Sequence, residues 1–232
     1  MPIESIVSAK PYNPKVSFES VRQIANAELP TRWGRFRIYG FEGVVDRAEP
    51  CNADLNAPER RIETAVALVM GDIVPSKPGD EPPIVRIHSQ CLTGDVFHSL
   101  RCDCRQQLEL ALATIAEKGA GILLYENQEG RGIGLMAKLQ AYELQDQGLD
   151  TIEANLKLGF KADCRQFELP AEVLKLLGVP RVRLITNNPE KVEALVSAGI
   201  EVTERISAEV PSEPTFERYL QVKREKMGHL VS

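Results

Sequence analysis

No apolar run in this sequence is long enough to cross a membrane, and the opening Met1-Pro-Ile-Glu-Ser5 lacks the basic-then-apolar pattern of a secretory leader. Both absences point to a cytoplasmic protein without a membrane partner. Cysteine is scarce: five residues, an odd number, leave at least one unpaired. In a reducing compartment we expect free thiols and no disulfide framework. An excess of positive charge is missing too. Lys and Arg number 28 against 33 Asp and Glu, a net charge of −5, so the overall charge attracts neither a nucleic acid polymer nor an anionic membrane. Any anion site must be local. There is no internal repeat and no low-complexity tract.

Familiar nucleotide signatures are absent as well. No G-x-x-x-x-G-K-S/T P-loop occurs, and Gly130-Arg-Gly-Ile-Gly134 has Leu135 where a dinucleotide fingerprint places its last glycine. A zinc base deaminase needs H-x-E and P-C-x-x-C. This chain offers His88-Ser-Gln90 and no P-C-x-x-C, so that reading fails.

What is present fits a globular protein: 232 residues, 43% hydrophobic and 26% charged, make one large domain or two small ones. Residues 1–30 carry prolines without sustained apolar periodicity and read as an arm. Strands are expected at 35–41, 62–70, 84–88, 121–126, 182–185 and 200–204, with a polar loop over 44–61 and a turn over 75–83. Helical spacing follows Cys104, with Lys118-Gly119 as its stop, and recurs at Leu135, Leu139 and Tyr142, near 170–177, from Pro189 to Ala198, and in a charged stretch over 214–227. Early strands followed by alternating strand and helix predict an α+β protein with mixed α/β layers around one sheet system.

The densest chemistry lies in residues 86–104, where Cys91, Cys102 and Cys104 are spaced C-x10-C-x-C. Three soft ligands suit Zn2+, and hydrolytic zinc sites keep three protein ligands and an open fourth position, whereas structural sites close it. Cys102 and Cys104 open a helix, where free amides favour thiolates. Two other readings stand beside this one. The three cysteines are simply buried core residues, which the interleaved Arg101 and Asp103 argue against. Alternatively they form a structural zinc site with His88, His98 or Cys164 as fourth ligand.

The run from Glu126 to Gly134 follows a strand and opens a helix, a place where backbone amides gather round an anion. Arg86, Arg131, Arg165 and Lys191 are separated cations near element ends, each a candidate for phosphate and each equally readable as a solvated surface charge.

Six ordered motifs, His88-Ser-Gln-Cys-Leu-Thr-Gly-Asp95, Ser99-Leu-Arg-Cys-Asp-Cys104, Gln128-Glu-Gly-Arg-Gly-Ile-Gly134, Gln145-Asp-Gln-Gly148, Leu158-Gly-Phe160 and Leu184-Ile-Thr-Asn-Asn-Pro189, together resemble GTP cyclohydrolase II. The resemblance runs from about Leu29 to Leu230. It implies a single catalytic domain over 29–232 behind an N-terminal extension over 1–28. It implies hydrolysis of GTP to 2,5-diamino-6-ribosylamino-4(3H)-pyrimidinone 5′-phosphate, formate and pyrophosphate, the first committed step of riboflavin synthesis. Zinc at Cys91, Cys102 and Cys104 would lower the pKa of water from ~15.7 to about 7 for attack at C8 of guanine. Mg2+ would accompany the triphosphate, and the assembly would be a homodimer.

By the same resemblance Arg86, Ile87, His88, Ser89, Gln90, Gln107, Glu129, Gly130, Arg131, Thr151, Thr186 and Lys191 stand at GTP-contacting positions. The basic residues suit phosphate oxygens, and Glu129 or Gln107 suits the base edge. Tyr142 matches a tyrosine tied to ring opening, although its place on the stripe Leu135-Leu139-Tyr142 also fits a core aromatic. Asp163 matches a proton acceptor and Arg165 a nucleophile on the α-phosphate. A guanidinium with a pKa above ~12 has little free base, so an electrostatic clamp is the better physical reading of Arg165.

The chain departs from the family pattern at Gln90, where many relatives have an acid, at Cys164, and in the added segments over 1–28 and around Cys51. Two alternatives remain: a relative that opens the ring and releases pyrophosphate but no formate, and a zinc-containing guanine-nucleotide-binding protein without turnover.

Overall fold

The computed structural model describes residues 12–52, 61–74, 77 and 79–211, together with Glu217, Gln221, Val222, Arg224, Glu225, Gly228 and Leu230. Strands β1 (Val16–Thr31), β2 (Gly34–Ala48) and β3 (Ile62–Met70) come first. They are followed by β4 (Ile84–Ser89), α1 (Leu92–Asp95), α2 (Cys104–Lys118), β5 (Gly121–Glu126), α3 (Leu135–Asp146), α4 (Thr151–Lys157), α5 (Glu168–Leu176), β6 (Arg181–Ile185), α6 (Pro189–Ser197) and β7 (Glu201–Ile206). All seven strands form one sheet in the order β1-β2-β3-β5-β4-β6-β7. The expected mixed α/β layering holds. Among the described residues no helix is long and apolar enough to cross a membrane.

The sheet has two characters that meet at β5. It runs antiparallel to β3, while β4, its other neighbour, lies parallel to it. The parallel half needs helical crossovers, and these cover both faces. Along β4, Ile84 packs with Leu112 and Ile115 of α2, whereas Val85 and Ile87 join Leu174 of α5 and Leu195 of α6. That period of two aims Arg86 and His88 to the α2 face with Ile84. Gly119, in the left-handed region at φ 73°, stops α2 where the Lys118-Gly119 pair predicted.

Three expectations change. The stretch read as an arm enters the sheet from Val16 onward, so the boundary drawn after residue 28 falls inside β1; residues 1–11 lie outside the described residues. β1 escapes pattern reading because most of it is exposed and bulges interrupt its register at three points. Its Pro30 is tolerated because β1 is the sheet edge. The polar loop begins later than expected, since β2 continues to Ala48, and residues 53–60 of it lie outside the described residues. Cysteine is not wholly reduced: Cys51 and Cys164 form a disulfide, with Cα atoms 5.3 Å apart. An Asn52–Phe160 bridge and the Lys161 amide on the Cys51 carbonyl lay these distant segments side by side, a proximity that sequence spacing cannot reveal. The charged helix expected over 214–227 falls largely outside the described residues.

Candidate metal and nucleotide site

The ends of β4 and β5 deliver the two loops that build the site. Beyond β4, Cys91 precedes α1, and Cys102 and Cys104 lie at the entry to α2. Their sulfurs all fall within 4.8 Å of one another, and Cys91 Sγ is 3.7 Å from Cys102 Sγ. Tetrahedral zinc with bonds of ~2.3 Å places its sulfurs about 3.8 Å apart. The donor set therefore fits Zn2+ in type and spacing. Gly94 makes room for it: a Cβ there would sit 3.1 Å from Cys102 Sγ and 3.2 Å from Cys91 Sγ.

Three thiols this close compete for charge. Hydrogen bonds from Cys102 and Cys104 hold Cys91 far below the usual thiol range. Cys102, despite a hydrogen bond from Cys104, is pushed up to about 11 by Cys91 and by burial, and Cys104 is pushed up as well. A divalent cation among them resolves that competition, because coordination favours three thiolates together.

Among the described residues no histidine or carboxylate joins this group. His88 Nε2 instead lies 3.2 Å from Asp95, and its ring stacks on Tyr125 at 5.5 Å. Asp95 also accepts the Cys91 amide at 3.0 Å and the Tyr125 hydroxyl at 2.9 Å. His88 thus braces the cysteine loop from beneath, buried and turned toward Asp95. Cys164 is held in the disulfide, and His98 is exposed. The closed four-ligand expectation finds no fourth ligand among these three.

After β5 the chain makes a tight turn over Glu129–Gly132, with Gly130 and Arg131 both left-handed, at φ 63° and 61°. For a residue with a side chain, this costs about 1–2 kcal/mol. The turn is held from two sides. Glu129 accepts the Leu92 amide at 2.6 Å, the Gly130 amide at 2.9 Å and the Lys138 ammonium at 2.6 Å. The Arg131 carbonyl accepts the amide of Cys164 at 3.0 Å. Gln128 completes the arrangement by bonding both the amide and the carbonyl of Gln166.

A cavity of about 90 Å³ opens where these pieces meet. All three cysteines line it, with Ser89, Gln90, Glu129, Gly130, Arg131, Tyr142, Thr151 and Arg165 among the residues singled out from sequence. Tyr142 is half-buried at the cavity wall. Its hydroxyl lies 3.2 Å from that of Thr93, which is 3.7 Å from Cys91 Sγ, and Arg101 covers its ring. Burial pushes the Tyr142 hydroxyl up, against opposing pulls from Thr93 and Lys138.

Asp163 and Arg165 form an ion pair, in which Arg165 Nε donates to Asp163 Oδ1 at 2.9 Å. Burial disfavours the Asp163 carboxylate, but Arg165 outweighs it, helped by Arg131, and holds the group well below the usual range.

The other expected residues lie outside the cavity lining. Arg86 is buried, donates to the Ile185 carbonyl at 3.0 Å and to Gln107 at 2.6 Å, and is pushed down to about 10 chiefly by burial. Gln107 passes the chain on to Asp103, between two of the cysteines. Lys191 bonds the Ile87 carbonyl at 2.9 Å and stands over the Phe167 ring, while Thr186 Oγ1 accepts the Asn188 amide. Sequence reasoning missed Asp95 and Lys138. For Lys138 the available signal was its position one helical turn before Tyr142 on the same face of α3.

Comparison with known proteins then decides the lineage. The sequence profile of GTP cyclohydrolase II matches residues 22–207. The chain belongs to the GTP cyclohydrolase II family. It is 53% identical over 212 residues to GTP cyclohydrolase-2 of Enterobacter sp. (strain 638), covering 91% of this chain and 98% of that relative. It is 52% identical over the same shares to GTP cyclohydrolase-2 of Cronobacter sakazakii and of Escherichia coli K12 / DH10B. Family membership agrees with all six motifs. A two-domain 3,4-dihydroxy-2-butanone 4-phosphate synthase from A. baumannii covers 72% of this chain and 34% of its own at 16% identity, with a TM-score of 0.30, too low for any argument.

Proposed function

We propose that this protein hydrolyses GTP to 2,5-diamino-6-ribosylamino-4(3H)-pyrimidinone 5′-phosphate, formate and pyrophosphate, as the first committed step of riboflavin biosynthesis. The observation that carries the reading is one cavity in which three thiols at zinc spacing, the Tyr142 side chain and the cation Arg165 converge. Cys91, Cys102 and Cys104 would hold Zn2+, which when bound supplies a Lewis acid and an acidified water.

The protein's own groups divide the remaining work. Ser89, Gln90 and Thr151 offer hydrogen bonds along the cavity wall, and the Gly130–Arg131 turn presents backbone beside them. Tyr142 sets a hydroxyl next to the cysteines, positioned to hold a proton at the guanine imidazole ring. Arg131 and Arg165 are cations for the triphosphate, with Mg2+ sharing its charge. Asp163 orients Arg165 through paired hydrogen bonds, which supports a clamp on the α-phosphate. Being held ionised, Asp163 can accept a proton only once substrate has loosened that pair. Arg86, His88, Gln107, Thr186 and Lys191 then act from beneath, shaping the walls. The family resemblance supports a cytoplasmic homodimer, with a catalytic domain that takes in β1 and so starts ahead of residue 29.

Incubating purified protein with GTP, Zn2+ and Mg2+ tests the reading, with formate, pyrophosphate and the pyrimidine product followed together. All three are expected in equal amounts. Pyrophosphate without formate would reassign the chain to a ring-opening relative, and intact GTP would leave only nucleotide binding.

A further inference from the structure

The structure assigns to Lys138 the task of holding the zinc site together: it is a positioning residue that donates a charge-assisted hydrogen bond to the Cys91 sulfur, a ligand of the proposed metal. This deepens the zinc reading and rests on it.

Lys138 is buried on α3, with its side chain 10% exposed, and its Nζ has two anionic partners. One is Cys91 Sγ at 3.2 Å, and the other is Glu129 Oε1 at 2.6 Å. A lysine is seldom buried without such partners, since an ammonium taken from water needs nearby negative charge. Here the partners belong to different loops. Cys91 comes from the end of β4, and Glu129 from the turn after β5. Glu129 also accepts the Leu92 amide, one residue beyond Cys91. Lys138, Glu129 and the Cys91–Leu92 segment therefore close a ring of three contacts that fixes where the sulfur points.

The electrostatics lead to the same role. Three thiolates around Zn2+ leave a net charge of −1, and an ammonium against one of them neutralises that excess. Removing partners of this kind from metal ligands typically weakens metal affinity about 10–100-fold.

Three variants, Lys138→Met, Lys138→Gln and Lys138→Arg, test the assignment in the full-length protein. Zinc affinity is measured by competition with a chromophoric chelator. The thiolate-to-metal charge-transfer band is recorded in the near ultraviolet after Co2+ substitution. Lys138→Met is expected to bind zinc about 10–100-fold more weakly and to shift the band, because the sulfur loses its N–H donor. Lys138→Gln keeps a donor without charge and should fall between; it carries the test if Lys138→Met fails to fold. Lys138→Arg should restore most of the affinity. Unchanged affinity and an unshifted band in both Lys138→Met and Lys138→Gln would overturn the assignment, even if thermal stability dropped. Wild-type protein that binds neither metal through its cysteines would instead sink the zinc reading itself.

Discussion

The Arg131 carbonyl accepts the Cys164 amide at 3.0 Å, which joins the glycine-rich turn directly to the loop carrying Asp163 and Arg165. Gly132 makes that approach possible. It sits at φ 87°, and a Cβ there would come within 2.9 Å of the Cys164 backbone. Gly132→Ala should therefore cost about 1–3 kcal/mol and slow turnover by displacing Arg165. A denaturant midpoint equal to wild type would show that the two loops are not in such close contact.

The same loop is stapled by the Cys51–Cys164 disulfide across 113 residues of chain. Thiol titration of unreduced, denatured protein should therefore count three free thiols, those of Cys91, Cys102 and Cys104, and five after reduction. Cys164→Ser should lose about 2–4 kcal/mol of stability relative to the oxidised protein. Five free thiols before reduction would contradict the pairing.

Tyr142 shares its hydroxyl with Thr93 beside the metal cysteines. Tyr142→Phe removes only that oxygen. Formate release is expected to fall about 10²–10⁴-fold, the usual range for a lost acid–base group, while zinc content stays at the wild-type value. Full formate release from Tyr142→Phe would return Tyr142 to the role of packing residue.

Glu126 gives the pH dependence. Burial is the largest influence and pushes its carboxyl up to about 8, against opposing pulls from Lys191 and Gln128; one of its oxygens is buried without a hydrogen-bond partner. In the unfolded chain the group ionises near 4.5. Between those values the folded protein keeps a proton that the unfolded chain has released, so this group's contribution to stability falls as pH rises from about 4.5 to 8, by about 1.4 kcal/mol per pH unit at most. Glu126→Gln has no such proton. Its stability relative to wild type should climb through that window and level off above about 8. Parallel stability–pH curves for the two proteins would rule this out.

Continuous apolar runs made much of the sheet readable: β3 and β5 begin and end where their residue patterns predicted. Elements with little packed surface were harder. β1 is exposed along much of its length and interrupted by bulges, so it shows no period of two. Short α4 was missed although Asp150 and Glu153 form a capping box at its start, a signal present in the sequence. At the site, residue type identified the chemistry but not the partners. Arg86 and Glu129 are the right kinds of residue to meet a nucleotide, yet both are engaged by the protein itself. Lys138 has the opposite history: its spacing placed it on the Tyr142 face of α3, but only the fold brings it to Cys91.

The outermost strand has a consequence for solubility. A long sheet edge is a template onto which a second chain can add, and β1 is 16 residues long. Its bulges bend that edge out of line, Pro30 removes one backbone donor, and Arg22 and Glu28 scatter charge along it. The features that hid β1 from pattern reading are the ones that discourage aggregation along it.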